Sequence, residues 1–194
     1  MRAKRGGHGR LPLSLRHRVS SLYSGRRASL LQAPAEAMRR FGLTPVVDDQ
    51  SRYVRSRVGD DIVIEAGFAN TFRVFGVLID TLWTGRRGKP SLGESVLEYR
   101  FGRKRQFVPR RGGESARALA EKLSDDPEIR QLIDKAELKT ITVEDSTHGR
   151  RVQIRPMAGT ITALYFPPLP PYTVAIHDDE ADAQLRLLMR LLAL

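Results

Sequence analysis

The chain contains no cysteine. Disulfides, a thiolate nucleophile and Cys-ligated zinc or iron-sulfur sites are therefore excluded. No apolar run approaches the roughly 20 residues that a bilayer-spanning helix requires, so no transmembrane helix is expected. Nor is there a Gly-x-Ser-x-Gly nucleophile elbow. The stretch GRRGKPS invites comparison with a phosphate-cradling loop, but Trp83 stands where that motif needs its first glycine and Pro90 where it needs Ser or Thr for magnesium. Acid is missing altogether from the first 35 residues, which hold eight Arg or Lys.

What is present describes a globular chain. Its 194 residues are 41% hydrophobic and 28% charged, enough for one ordinary domain with a core. The net charge of +11 is unevenly placed, because beyond residue 35 only 25 bases stand against 22 acids. Arg outnumbers Lys 27 to 6, which a GC-rich coding bias explains as well as guanidinium chemistry does. The opening MRAKRGGHGRLPLSLRHRVSSLYSGRRASLLQ is Arg-rich, Ser-containing and acid-free, as transit peptides are. However, Gly6, Gly7, Gly9 and Pro12 break any early amphipathic helix, and the apolar centre of a secretory signal is missing. The expectation is a bacterial, cytoplasmic protein with a basic flexible tail over 1–27 and a single α+β domain over 28–194.

Along that domain, LLQAPAEAMRRFGLTP predicts a short helix with Pro34 in its first turn and Gly42 closing it. RYVRSRVGDDIVIEAG predicts a hairpin about a Gly-Asp-Asp turn. TFRVFGVLIDTLW reads as one long strand with Gly76 as a bulge, and TGRRGKPSLGES as a loop. ESVLEYRF is a strand, and Pro109, Gly112 and Gly113 end the extended run after it. ESARALAEKL and DDPEIRQLIDKAEL have helical spacing, the second with Asp126 as N-cap and Pro127 in the first turn. LKTITVEDSTHGRRVQIRP predicts a second hairpin, TITALYF and YTVAI short strands with PPLPP between them, and DDEADAQLRLLMRLLAL a final helix with Leu185, Leu188 and Leu192 on its core face. Clustered strands and clustered helices point to an α+β fold, a mainly antiparallel sheet with helices covering one face. A parallel doubly wound sheet is the alternative, and a weak internal duplication of helix, hairpin and further strand is left open.

The chemistry-bearing residues are mostly basic. YRFGRKRQFVPRRGG sets Arg100, Arg103, Lys104, Arg105, Arg110 and Arg111 among Tyr99, Phe101 and Phe107, and Arg86, Arg87 and Lys89 precede the same strand. Guanidinium and ammonium groups so spaced could neutralise several phosphates, and aromatics could stack on unpaired bases. The same bases could instead keep a strand end soluble. His177, Asp178, Asp179 and Glu180 sit where capping of the last helix accounts for them, and His148 has no neighbour at metal spacing, so no metal or cofactor is expected. The functional expectation is a non-catalytic protein that binds nucleic acid or another anionic surface through its tail and basic loops. The alternatives are a small-molecule or lipid binder with an apolar pocket between sheet and helices, lined by Phe68, Phe72, Phe75, Leu78 and Trp83, and an enzyme whose mechanism the sequence does not display.

Overall fold

The computed structural model describes residues 23–48, 50, 52–73, 76–89, 93–164 and 170–194. Residues 1–22 of the expected tail, Phe75, Pro90 and most of the PPLPP segment lie outside them. Among the described residues, four helices and ten strands follow the order α1 Ser24–Arg40, β1 Val46–Val47, β2 Tyr53–Val58, β3 Ile62–Arg73, β4 Gly76–Arg87, β5 Ser95–Arg100, β6 Gln106–Arg111, α2 Glu114–Asp125, α3 Pro127–Ala136, β7 Leu138–Ser146, β8 Gly149–Pro156, β9 Thr160–Leu164, β10 Tyr172–Val174 and α4 Asp178–Ala193. All strands join one antiparallel sheet. The fold is therefore α+β, and no described helix is long and apolar enough to cross a membrane.

Strand β4 is the sheet's axis. Along one side it pairs with β3 over its whole length. Along the other it pairs first with β9, at Gly76 to Asp80, and then with β8, at Trp83 to Arg87. Strands β8 and β9 thus form one line interrupted at residues 157–159, where the amide of Thr81 donates to Gly159 O at 2.8 Å. The sheet divides at that break: β10 flanks β9, whereas β7, β5 and β6 continue outward from β8. Buried Asp80 ties the two parts together, accepting from Lys139 Nζ of β7 at 2.8 Å and Thr160 Oγ1 of β9 at 3.1 Å. The two helix-hairpin units take non-equivalent places, since β2 has only the two-residue β1 outside it and β7 has β5 and β6.

One face of the sheet carries the core. Val54, Ile64, Trp83, Ile154, Ile141 and Leu97 are inaccessible to solvent and share that face by the strand registers. Helices α1, α2, α3 and α4 cover it, with α4 the centrepiece because Ala181, Leu185, Leu187, Leu188, Leu191 and Leu192 are all buried. Its approach to β4 requires Gly85, where a Cβ would come within 2.5 Å of Leu192 Cδ1. Helix α3 begins as expected: Asp126 accepts from the amides of Glu128 and Ile129 at 2.9 and 3.2 Å, and Pro127 takes the first turn. Helix α1 ends in a Schellman arrangement, with Gly42 at φ 71° and the amides of Gly42 and Leu43 donating to Arg39 O and Met38 O.

Five expectations are corrected. Helix α1 begins at Ser24, not after residue 27, because Tyr23 and Arg27 are buried against the sheet, with the Arg27 guanidinium over the Phe68 ring at 5.6 Å. Burial lowers the pKa of Arg27. Pro34 accordingly sits inside that helix instead of in its first turn. Gly76 is no bulge, since TFRVFGVLIDTLW divides into the end of β3 and the start of β4, which pair from Arg73 and Gly76. Arg86 and Arg87 belong to β4 and not to a loop, because the ladder with β3 and β8 holds them extended. The basic stretch after residue 105 is itself a strand, β6, antiparallel to β5.

Candidate anion-binding face

The second face of the sheet has no helix over it among the described residues. The alternation that buries Val54 and Ser56 turns Arg55 and Arg57 outward, and the registers carry this parity across the sheet. One cross-strand row then reads Arg57 on β2, Val63 on β3, Arg86 on β4, Arg151 on β8 and Glu144 on β7. Arg86 and Arg151 are direct cross-strand partners. Like charges set directly opposite in an antiparallel pair destabilise it.

Acids compensate this row poorly. Glu144 stands 3.9 Å from Arg151, at the limit of an ion pair, and Arg151 Nε is buried with no hydrogen-bond partner among the described residues. Neither Arg57 nor Arg86 is ion-paired to a described residue. With strands about 4.8 Å apart, Arg57 and Arg86 lie about 10 Å apart across the sheet. The neighbouring row is more balanced: Arg55 donates through Nε to Glu65 at 3.0 Å and lies over the Tyr53 ring at 5.1 Å. The hydrogen bond to Glu65 raises the pKa of Arg55. A hollow of about 150 Å³ between the two rows is lined by Arg55, Val63, Glu65, Thr84 and Arg86.

The residues singled out from sequence separate into three sets. Arg86 faces outward in the row just described, exposed. Arg87, on the opposite parity, is not available to a ligand: Nη1 donates to Leu192 O at 2.9 Å and Ala193 O at 3.3 Å, and Nε lies 3.5 Å from Asp61. It neutralises the negative end of α4. Lys89 stands 3.8 Å from Asp61. The β5–β6 hairpin holds the rest, separated from β4 by β8 and β7. There Arg105 pairs with Asp134, Arg110 with Glu98 and Arg111 with Glu94 at 3.4 Å. Arg100, Arg103 and Lys104 are exposed at its turn. Tyr99 and Phe107 do not stack on ligands but pack edge-on in the core, 5.0 Å apart.

The expected pocket between sheet and helices takes a different form. Trp83 is core, fully buried, and Phe68 packs against the apolar clusters around it. Leu78 projects to the helix-free face, by its alternation with Ile79. A groove of about 550 Å³ lies instead at the sheet edge, lined by Gly42, Leu43, Thr44, Val46, Tyr53, Arg55, Ser56 and Arg57. His177 to Glu180 form the start of α4, the Glu180 carboxylate accepting from the His177 amide at 3.2 Å.

Arg57 and Arg151 were not singled out from sequence. The alternating arginines of RYVRSRV and RRVQIR were visible, but which parity faces away from the helices is decided only when the strands are paired. No curated protein and no solved structure matches the chain. Residues 39–194, from the last turn of α1 to the end of α4, match the family described as "Protein of unknown function (DUF3156)", and the chain belongs to that family.

Proposed function

We propose that this is a non-catalytic binding protein that holds a flexible polyanion, a single strand of nucleic acid, across the helix-free face of its sheet. The observation that carries the reading is the directly opposed Arg86 and Arg151, with Arg57 in the same row and, among the described residues, one carboxylate at 3.9 Å to offset the three. An arrangement that costs stability in the free protein becomes favourable when phosphates lie between the guanidiniums. The sheet's twist favours a flexible strand over a flat surface. Each step between neighbouring strands rotates the row by roughly 20–25°, and three steps separate β2 from β8.

Arg100, Arg103 and Lys104 extend this basic character to the β5–β6 turn, and the eight bases before residue 36 add to it. A cytoplasmic, bacterial setting belongs to the same reading.

Fluorescence anisotropy with a labelled thirty-nucleotide dT strand tests the proposal. Arg57→Glu with Arg86→Glu should weaken binding at least about tenfold at 100 mM salt, because attractive contacts become repulsive. Arg103→Glu with Lys104→Glu measures the share of the hairpin turn. Vesicles containing phosphatidylserine form the other arm. Binding to them but not to dT would replace the strand by a lipid surface, and binding to neither would remove the proposal.

A further inference from the structure

The groove at the sheet edge has a chemistry of its own. It exists because β1 pairs with only Val54 and Arg55 of β2, so that Ser56 and Arg57 run on beyond it. Pro45, which has no N–H to donate, precedes β1, and Thr44 turns its carbonyl to the Ser56 hydroxyl at 3.1 Å. The segment after α1 is thereby held off β2, and the groove of about 550 Å³ lies between them. That volume falls in the range of small-molecule sites.

Its lining combines apolar and cationic side chains. Leu43, Val46 and Tyr53 supply the apolar wall, and Val46 is 66% exposed, which leaves a large apolar side chain facing solvent where the sheet ends. Arg55 and Arg57 supply the charge, and Arg55 is already neutralised by Glu65. Arg55, Glu65 and Arg57 together leave one positive charge, carried by Arg57. One free guanidinium matches a planar carboxylate bidentately, whereas a phosphate dianion calls for a second free cation.

We propose that this groove binds a small amphiphilic monoanion, a carboxylate with an acyl or aryl body. The carboxylate is held by Arg57 and the apolar body lies along Leu43, Val46 and Tyr53. The site shares Arg57 with the arginine row but neither Arg86 nor Arg151, which do not line the groove.

Isothermal titration of the full chain with sodium dodecanoate below its micellar concentration provides the test, with dodecyltrimethylammonium as the cationic control. Saturable binding of one dodecanoate is expected, with none of the cation. Arg57→Gln should weaken it at least tenfold, and Val46→Asp, at a position tolerant of polarity, should abolish it without lowering the melting temperature. Arg86→Gln should leave dodecanoate affinity unchanged while weakening dT binding, so the two sites fail or survive separately. Three results would overturn the assignment: no saturable binding, binding indifferent to Arg57→Gln, or a dimer that Val46→Asp dissociates, which would make the groove a seam between copies.

Discussion

Trp83 Nε1 donates to Gln184 Oε1 at 2.8 Å, and Gln184 Nε2 donates in turn to Ala136 O at 3.0 Å, with both side chains fully buried. One amide thus joins β4, α4 and the last residue of α3. Gln184→Leu leaves the indole N–H and a helix-end carbonyl unsatisfied inside the core, at a cost of about 1–3 kcal/mol for each group so stranded. Urea denaturation should show the loss as a lower midpoint at unchanged slope. Trp83→Phe added to Gln184→Leu should recover part of it, because the orphaned donor is then gone.

Arg87 and Arg150 face one another across β4 and β8, as Arg86 and Arg151 do, but their surroundings differ. Asp145, buried, accepts from Arg150 Nε and Nη2 at 2.7 and 2.9 Å, and Arg150 Nη1 donates to Leu191 O at 3.1 Å. Asp145→Ala would leave a partly buried guanidinium beside Arg87 with its counter-charge removed. A loss of about 3 kcal/mol or more is expected. Arg150→Ala measured in the same background tests the attribution, since the two losses should be strongly non-additive.

Asp126 gives the acid limb of stability a defined origin. Burial pushes its carboxyl pKa up, but the hydrogen bonds from Arg190 and from the amides of Ile129 and Glu128 more than reverse this, leaving it below the ordinary carboxylate value. A depressed folded-state pKa stabilises the protein above the unfolded value of about 3.9, and that contribution is lost as pH falls through the folded value. Asp126→Asn retains a capping residue but loses the ion pair. It should be less stable than the parent at pH 6, with the gap closing below about pH 4. A gap that is constant with pH would assign the effect to the cap alone.

Local signals in the sequence located most elements, because each rests on neighbours in the chain. Asp126 and Pro127 announce α3, the alternation about Asp145 and His148 announces the second hairpin, and the leucines of α4 share one face whatever they pack against. The antiparallel α+β class followed from the clustering of these elements. Long-range pairing was not legible. Nothing near Arg87 in the chain indicates that it meets the carbonyls of residues 192 and 193, and nothing near Trp83 indicates Gln184. Charge density pointed to the β5–β6 hairpin, where three of the six bases prove to be paired with acids. The poorly compensated row on β2, β4 and β8 needed strand order to assemble it.

The start of the fold can be tested by comparing two truncations. Removing residues 1–27 takes away buried Tyr23 and Arg27 as well as the first turn of α1, whereas removing 1–22 spares them. Losing that packing should cost about 1–3 kcal/mol, which for a chain of this size is roughly 2–4 °C of melting temperature per kcal/mol. Equal melting temperatures for the two truncations would return residues 23–27 to the tail.

The most direct measurement is the salt dependence of dT binding by the full chain and by Arg57→Gln, Arg86→Gln and Arg151→Gln combined. Each phosphate contact on a single strand contributes a slope of about 0.7 in log affinity against log salt, so losing three should lower the slope by about two. Melting temperature should stay level or rise, because the opposed Arg86 and Arg151 no longer repel. An unchanged slope, or a variant that melts well below the parent, would contradict a row of arginines held on the open face for a polyanion.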